Sequence, residues 1–223
     1  MRRSKTFYII LIIIAAAIIG LFAIFYHHMQ TPPNIEQTTT LLNKTLQAES
    51  YRFSISAEVG KQGSISSYFD LNGECSNQGS RLQGEVLGDQ VELIFLDGKL
   101  WRRTNNKEWE CRDIAEINSA AELFCELLPT EIFSYDTITS YSFLGRTKDG
   151  SKTTTQLQLI PQAAGWVGKY FYDVSYTLNC DRRCKQINSI VLSATLKDDP
   201  DFTLLLTASF YDQGAQISIT APQ

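Results

Sequence analysis

Beyond residue 28 the sequence contains no histidine: the chain's two, His27 and His28, both sit at the edge of an apolar N-terminal run. That absence excludes every histidine-dependent triad, dyad or metal site from the body of the protein, because those chemistries need imidazole as base or ligand. Positive charge is scarce as well. The 223 residues carry 20 Lys and Arg against 24 Asp and Glu; the only charges among the first 30 residues are the positive Arg2, Arg3 and Lys5, so the chain's −4 becomes −7 over residues 31–223. A body of that sign argues against a nucleic-acid partner, which calls for a basic face. There is no glycine-rich phosphate loop, no Gly-x-Ser-x-Gly elbow and no zincin helix. Asp198 and Asp199 fall in a turn, where carboxylates are ordinarily just hydrated. The sequence therefore reads as a non-enzyme with no cofactor and no metal site; composition leaves a Ser–Lys dyad open, but nothing in the sequence points to one.

What is present begins with residues 7–26, FYIILIIIAAAIIGLFAIFY, in which only Gly20 is not apolar. A bilayer core of ~30 Å needs about 20 such residues as a helix, whereas the apolar region of a signal peptide spans roughly 7–15 and ends at a small-x-small cleavage site. The residues that follow, His27 to Asn34, offer no such site and no lipobox cysteine. A long, cleaved signal peptide is the alternative to a membrane span. Arg2, Arg3 and Lys5 precede the run and no Lys or Arg follows until Lys44, so the positive-inside rule places the N-terminus in the cytoplasm. The expected organisation is a cytoplasmic tail (1–6), a transmembrane signal anchor (7–26), a linker (27–34) stiffened by Pro32 and Pro33, and one extracytoplasmic domain (35–223) held at the cell membrane.

The cysteines number five, Cys75, Cys111, Cys125, Cys180 and Cys184, so at least one is unpaired if the others bridge. Cys180 and Cys184 flank three residues between two alternating runs, the position of a hairpin tip, where opposed Cα atoms fall within disulfide range. A disulfide is the expectation there; free thiols, or a metal site completed by other thiols and acids, are the alternatives.

Along the domain, Asn34 with Gln37 resembles a capping box. Ile35, Leu41, Leu42 and Leu46 then form the apolar stripe of a helix over about 35–49. From Tyr51 the period changes to two: Phe53, Ile55, Ala57 and Val59 alternate with polar residues, as in a strand with one wet face. Further strands are expected at Ile65–Leu71, Leu82–Val86, Val91–Phe95 and, after the hairpin signal Asp97-Gly98, at Lys99–Arg102. A second helix is marked by Asp113 and Glu116 as a capping box and by Ile114, Ile117, Ala121, Phe124 and Leu128 at helical spacing, with Pro129 stopping it. Strands around Tyr141–Phe143, Leu157–Leu159, Tyr170–Leu178, Ile190–Leu196 and Phe202–Phe210 follow, and a final one at 215–220.

Helix, meander, inserted helix, meander is a distinctive order, and two segments sharpen it. Thr38–Glu49 runs into Tyr51-Arg-Phe-Ser-Ile-Ser, and Leu96-Asp97-Gly98-Lys99-Leu100-Trp101 is a strand–turn–strand with an aromatic just before the inserted helix. In these the chain resembles the LolA/LppX/LprG-like lipoprotein-carrier family. The resemblance implies an α+β fold, mainly antiparallel β: a strongly curved meander sheet, or half-open barrel, with two helices on its concave face, here preceded by one transmembrane helix. It also implies an apolar cavity between sheet and helices that holds acyl chains, with a lipid or lipoprotein as partner. On this chain alternation and helical spacing offer Phe53, Ile55, Leu93, Phe95 and Trp101 from the strands and Ile117, Ala121, Phe124 and Leu128 from the second helix as its lining. The protein departs from lipidated members of the family in having no lipobox cysteine, and a tethered chain does not shuttle by diffusion. The competing reading is a tethered interaction or sensing domain with a solid core, its protein partner unspecified. Protease added to intact cells is expected to degrade residues 35–223; protection until lysis would overturn the topology.

Overall fold

The computed structural model describes residues 32–61, 64–113 and 126–222. The apolar run at 7–26, and most of the expected second helix with Ile114, Ile117, Ala121 and Phe124, lie outside these residues. Helix α1, Ile35–Leu46, buries Thr38, Leu41, Leu42, Thr45 and Leu46, positions three or four apart that share one face. Buried Thr45 bonds within the helix, its Oγ1 donating to the Leu41 carbonyl at 3.0 Å. The helix ends before the expected residue 49, and Ile35, assigned to the buried stripe, is exposed in the first turn.

Among the described residues eleven strands make one antiparallel sheet. The first six are β1 (Tyr51–Lys61), β2 (Ser64–Ser76), β3 (Gly79–Val86), β4 (Asp89–Leu96), β5 (Lys99–Thr104) and β6 (Glu110–Asp113). The other five are β7 (Tyr135–Asp149), β8 (Lys152–Ala163), β9 (Phe171–Asp181), β10 (Ile187–Leu196) and β11 (Asp199–Tyr211). Their spatial order, β6-β5-β4-β3-β2-β1-β11-β10-β9-β8-β7, is two sequential meanders joined where β1 pairs with β11. β6 and β7 are the two edges, so the curved sheet stays an open half-barrel. Two short helices complete the described elements: α2 (Pro129–Ile132) and α3 (Gly165–Tyr170). Pro129 opens α2, at the position where its missing N–H costs nothing; the helix it is expected to stop lies mostly outside the described residues. At the Asp97-Gly98 turn both residues adopt positive φ, 51° and 73°, the two-residue hairpin geometry that the dipeptide favours.

One face of the sheet carries the core. Phe53, Ile55 and Ala57 on β1, Leu204, Leu206, Ala208 and Phe210 on β11, and Tyr176, Leu178 and Cys180 on β9 are all buried in it. Tyr176 is fully buried, its ring edge-on to Phe133 at 5.5 Å, and its hydroxyl donates to the Ser134 carbonyl at 3.3 Å. At Gly73 on β2 the opposite residue is Phe53, whose ring lies over the glycine; a Cβ there would come within 2.2 Å of the ring.

The other face is polar and ordered by charge. Arg52 on β1 donates to Glu74 on β2 at 2.7 Å and to Asp212 at 2.9 Å. Glu74 is the register partner of Arg81 on β3, and both Arg81 and Arg103 of β5 donate to Glu92 on β4. Arg103 also stacks over Trp109, 4.7 Å from the ring centre. Partial burial opposes ionisation of Glu92, but the two guanidinium hydrogen bonds together outweigh it and hold the carboxyl below its ordinary value.

The final expected strand, 215–220, is not in the ladder. Both sides of β11 are taken, by β1 and β10, so the tail cannot turn back to pair beside it. It crosses the outer face instead, and its alternation survives because Ile217 and Ile219 pack on Ile94 in a second, smaller core with Leu96, Trp101 and Trp109.

Gly73→Ala is expected to force the Phe53 ring aside and cost about 1–3 kcal/mol in chemical denaturation, the usual range for overpacking. Glu92→Gln should cost about 1–3 kcal/mol at neutral pH, the scale of a lost hydrogen bond to a charged group. Because the folded-state pKa is depressed, that stabilisation is present above the ordinary Glu value of about 4.3 and is lost as pH falls through the lower folded value. The gap between wild type and variant should therefore narrow in denaturation curves taken below about pH 4.

Candidate functional site

The expected cavity residues divide by position. Phe53, Ile55, Leu93 and Phe95 all project from the core-bearing face, with exposures of 0, 1, 0 and 7%. Alternation places them there, and Phe69, Leu71, Leu82 and Leu100 extend the same apolar surface across β2 to β5. Leu128 is partly buried against this core. Trp101 is a correction: it stands on the opposite face, in the small core under the C-terminal tail. The two-residue turn at Asp97-Gly98 pairs Phe95 with Leu100 and Ile94 with Trp101, so Leu100 faces the interior and Trp101 the outside. That parity was readable once the turn was recognised; the bulk of the tryptophan obscured it. Ile117, Ala121 and Phe124 lie outside the described residues.

The described helices do not cover this surface evenly. α1 packs on β7 and β10, and α3 on β8 and β9, which leaves the inner face of β2 to β5 chiefly to residues outside those elements. A cleft of about 590 Å³ opens between the end of α1 and the residues just after it, with Leu41, Lys44 and Ala48, and Lys185 and Gln186 of the β9–β10 turn together with Gln213. None of the expected cavity residues lines it. Its charged and amide groups suit a polar ligand better than a hydrocarbon chain.

Cys180 and Cys184 occupy the β9–β10 hairpin tip, as their spacing implies, but both are free thiols and the expected disulfide is not formed. The turn holds its shape without a covalent link. The Asp181 carboxylate accepts the backbone N–H groups of Lys185 at 2.6 Å and Gln186 at 3.0 Å, and the Asp181 carbonyl accepts the Cys184 N–H at 2.9 Å. The two side chains instead share a hydrogen bond. It favours a thiolate on Cys184, whose pKa falls to about 7 despite partial burial, with further help from the Thr155 hydroxyl and the Arg146 charge. The same bond, together with burial, pushes Cys180 up strongly. Cys75 is also raised, by burial that outweighs its hydrogen bonds with Ser80 and Tyr51, and Cys111 is exposed on edge strand β6. Among the described residues no three His, Cys, Asp or Glu side chains converge as a metal site.

No known family model matches the sequence, and no curated protein matches it either. Solved structures do. LprF from Mycobacterium bovis superposes with a TM-score of 0.51 at 11% identity, covering 86% of this chain and 99% of that one. The lipoprotein LppX from Mycobacterium tuberculosis matches over 83% of this chain and 97% of its own, at 11% identity and a TM-score of 0.49. A LolA-superfamily protein from Nitrosomonas europaea matches over 80% and 92%, at 7% identity and a TM-score of 0.35. The chain shares the fold of LprF.

Proposed function

We propose that the protein is a membrane-tethered, extracytoplasmic and non-catalytic module that holds an acyl chain of a lipid or lipoprotein against the inner face of its half-barrel. The observation that carries this reading is the continuous apolar surface of Phe53, Ile55, Phe69, Leu71, Leu82, Leu93 and Phe95 on an unclosed sheet. The described helices pack chiefly on β7 to β10. A hydrocarbon chain entering beside that surface gains about 0.8 kcal/mol for each buried CH₂, enough for a single chain of ordinary length to bind. The apolar span at 7–26 supports the tether, and its one-sided positive charge supports the orientation.

Near-complete burial of Phe53, Ile55 and Leu93 favours a second reading, an interaction or sensing domain with a solid core. The two readings part at Ala121, in the middle of the apolar stripe expected between Asp113 and Leu128. Native mass spectrometry of the full chain, extracted from membranes in mild detergent, is expected to show co-purified lipid, and a fluorescent fatty acid should bind saturably. In Ala121→Trp the indole should occupy the ligand's space, abolishing that binding while leaving thermal stability nearly unchanged. No saturable binding by the wild type, together with a loss of about 1–3 kcal/mol in the variant from overpacking, would establish the solid-core domain instead.

A further inference from the structure

The Cys180–Cys184 pair is built asymmetrically. Cys180 has no solvent exposure, whereas Cys184 is partly exposed at the tip, and the two thiols share a hydrogen bond. Cys184 has φ 49°, a left-handed conformation that a non-glycine residue adopts at a cost and that recurs at functional sites. Around its sulfur stand the Thr155 hydroxyl and the Arg146 guanidinium, which favour the thiolate, and the Asp181 carboxylate, which opposes it. Asp181 is already engaged by the backbone of the turn it closes, so the turn is held whether or not the sulfurs are joined. The other described thiols have no comparable setting: Cys75 is on β2 beside Ser80, and Cys111 is on β6. An accessible thiolate backed by a buried second thiol is the arrangement that disulfide exchange requires.

We propose that Cys184 and Cys180 form a redox-active dithiol, with Cys184 attacking a disulfide presented from solution and Cys180 resolving the product. In the first step the Cys184 thiolate bonds to one sulfur of the incoming disulfide and the other sulfur leaves as a thiolate. In the second, Cys180 gives up its proton to water and attacks Cys184 Sγ; the Cys180–Cys184 bond forms and the second substrate sulfur departs, to be protonated in turn. Two protein thiols are oxidised and one disulfide is reduced to two thiols. The tip also neighbours α1: Lys185 and Gln186 line the cleft beside its C-terminal end, and Tyr141, which interacts electrostatically with both thiols, shares a hydrogen bond with the Thr38 side chain. A change of redox state at the tip is therefore adjacent to α1, which packs on β7 and β10.

The test uses the reduced full chain in mild detergent with oxidised glutathione, followed by peptide mapping. In the wild type the Cys180–Cys184 disulfide should form and reopen with reduced glutathione. Cys180→Ala should stop as a stable glutathione adduct on Cys184, and Cys184→Ala should leave Cys180 unmodified. Alkylation of Cys184 should titrate with a midpoint near 7. The proposal is overturned if Cys111 takes up glutathione while Cys184 does not, or if the wild type stops at the adduct. A pair isolated already joined, which reduced glutathione fails to open, would be a structural bond and equally overturn it. Should Cys180→Ala not fold, formation and reversal of the bond in the wild type decide the matter alone.

Discussion

The pairing of β1 with β11 is the contact on which the remaining architecture depends. Each meander by itself is a run of local hairpins, formed between neighbours in sequence. Only the β1–β11 ladder brings the two together, aligning Phe53 with Phe210, Ile55 with Ala208, Ala57 with Leu206 and Val59 with Leu204. Closing so long a loop costs entropy that grows only slowly with its length, and a ladder of apolar pairs on one face offsets it. Register is strict for the same reason. A slip of one residue would present Ser54, Ser56 and Glu58 to the core and turn the apolar set to water. With β1 and β10 on either side, β11 has no free edge, and the C-terminal tail is diverted onto the outer face.

That diversion explains the unequal treatment of the two faces. The inner face is one apolar surface running through all the central strands. The outer face alternates charge from Asp212 through Arg52 and Glu74 to Arg81, Glu92 and Arg103, and at its far end it turns apolar around Ile94 and Trp101. Exposed ion pairs contribute little, ~0–1 kcal/mol each. Glu92 differs because its side chain is only 13% exposed and two guanidinium groups converge on it. The ladder thus ties β3, β4 and β5 together on the side away from the core, while Ile217 and Ile219 cover the apolar end of that face.

Function divides along the same axis. The proposed apolar ligand would lie against the inner face of β2 to β5, where neither α1 nor α3 makes its main contacts. The thiol pair sits at the hairpin tip on the other half of the sheet, next to α1. The two features are therefore separable, one a question of volume beside the sheet and the other of sulfur chemistry at its margin. Nothing in the chemistry of Cys184 requires the inner face to hold a lipid.

Much of this was legible in the sequence, for a physical reason: period-two alternation and turn chemistry are local. Ten of the eleven strands, the Asp97-Gly98 hairpin, the Cys180–Cys184 tip and the inward set Phe53, Ile55, Leu93 and Phe95 all follow from residues within a few positions of one another; β6 does not, because Asp113 at its end reads as a helix cap. The family resemblance likewise rested on the order of such elements. What only the tertiary structure decided was everything set by a neighbour distant in the chain. Trp101 faces outward because β4 fixes the parity of β5; the 215–220 segment packs as a strap because β11 has no edge left; Ile35, although on the same side of α1 as Leu42 and Leu46, is exposed in the first turn of the helix. The sulfurs of Cys180 and Cys184 are unjoined in a turn that the Asp181 carboxylate already closes. Local pattern determines which residues prefer to be buried together, but which surface buries them depends on partners that the pattern does not contain.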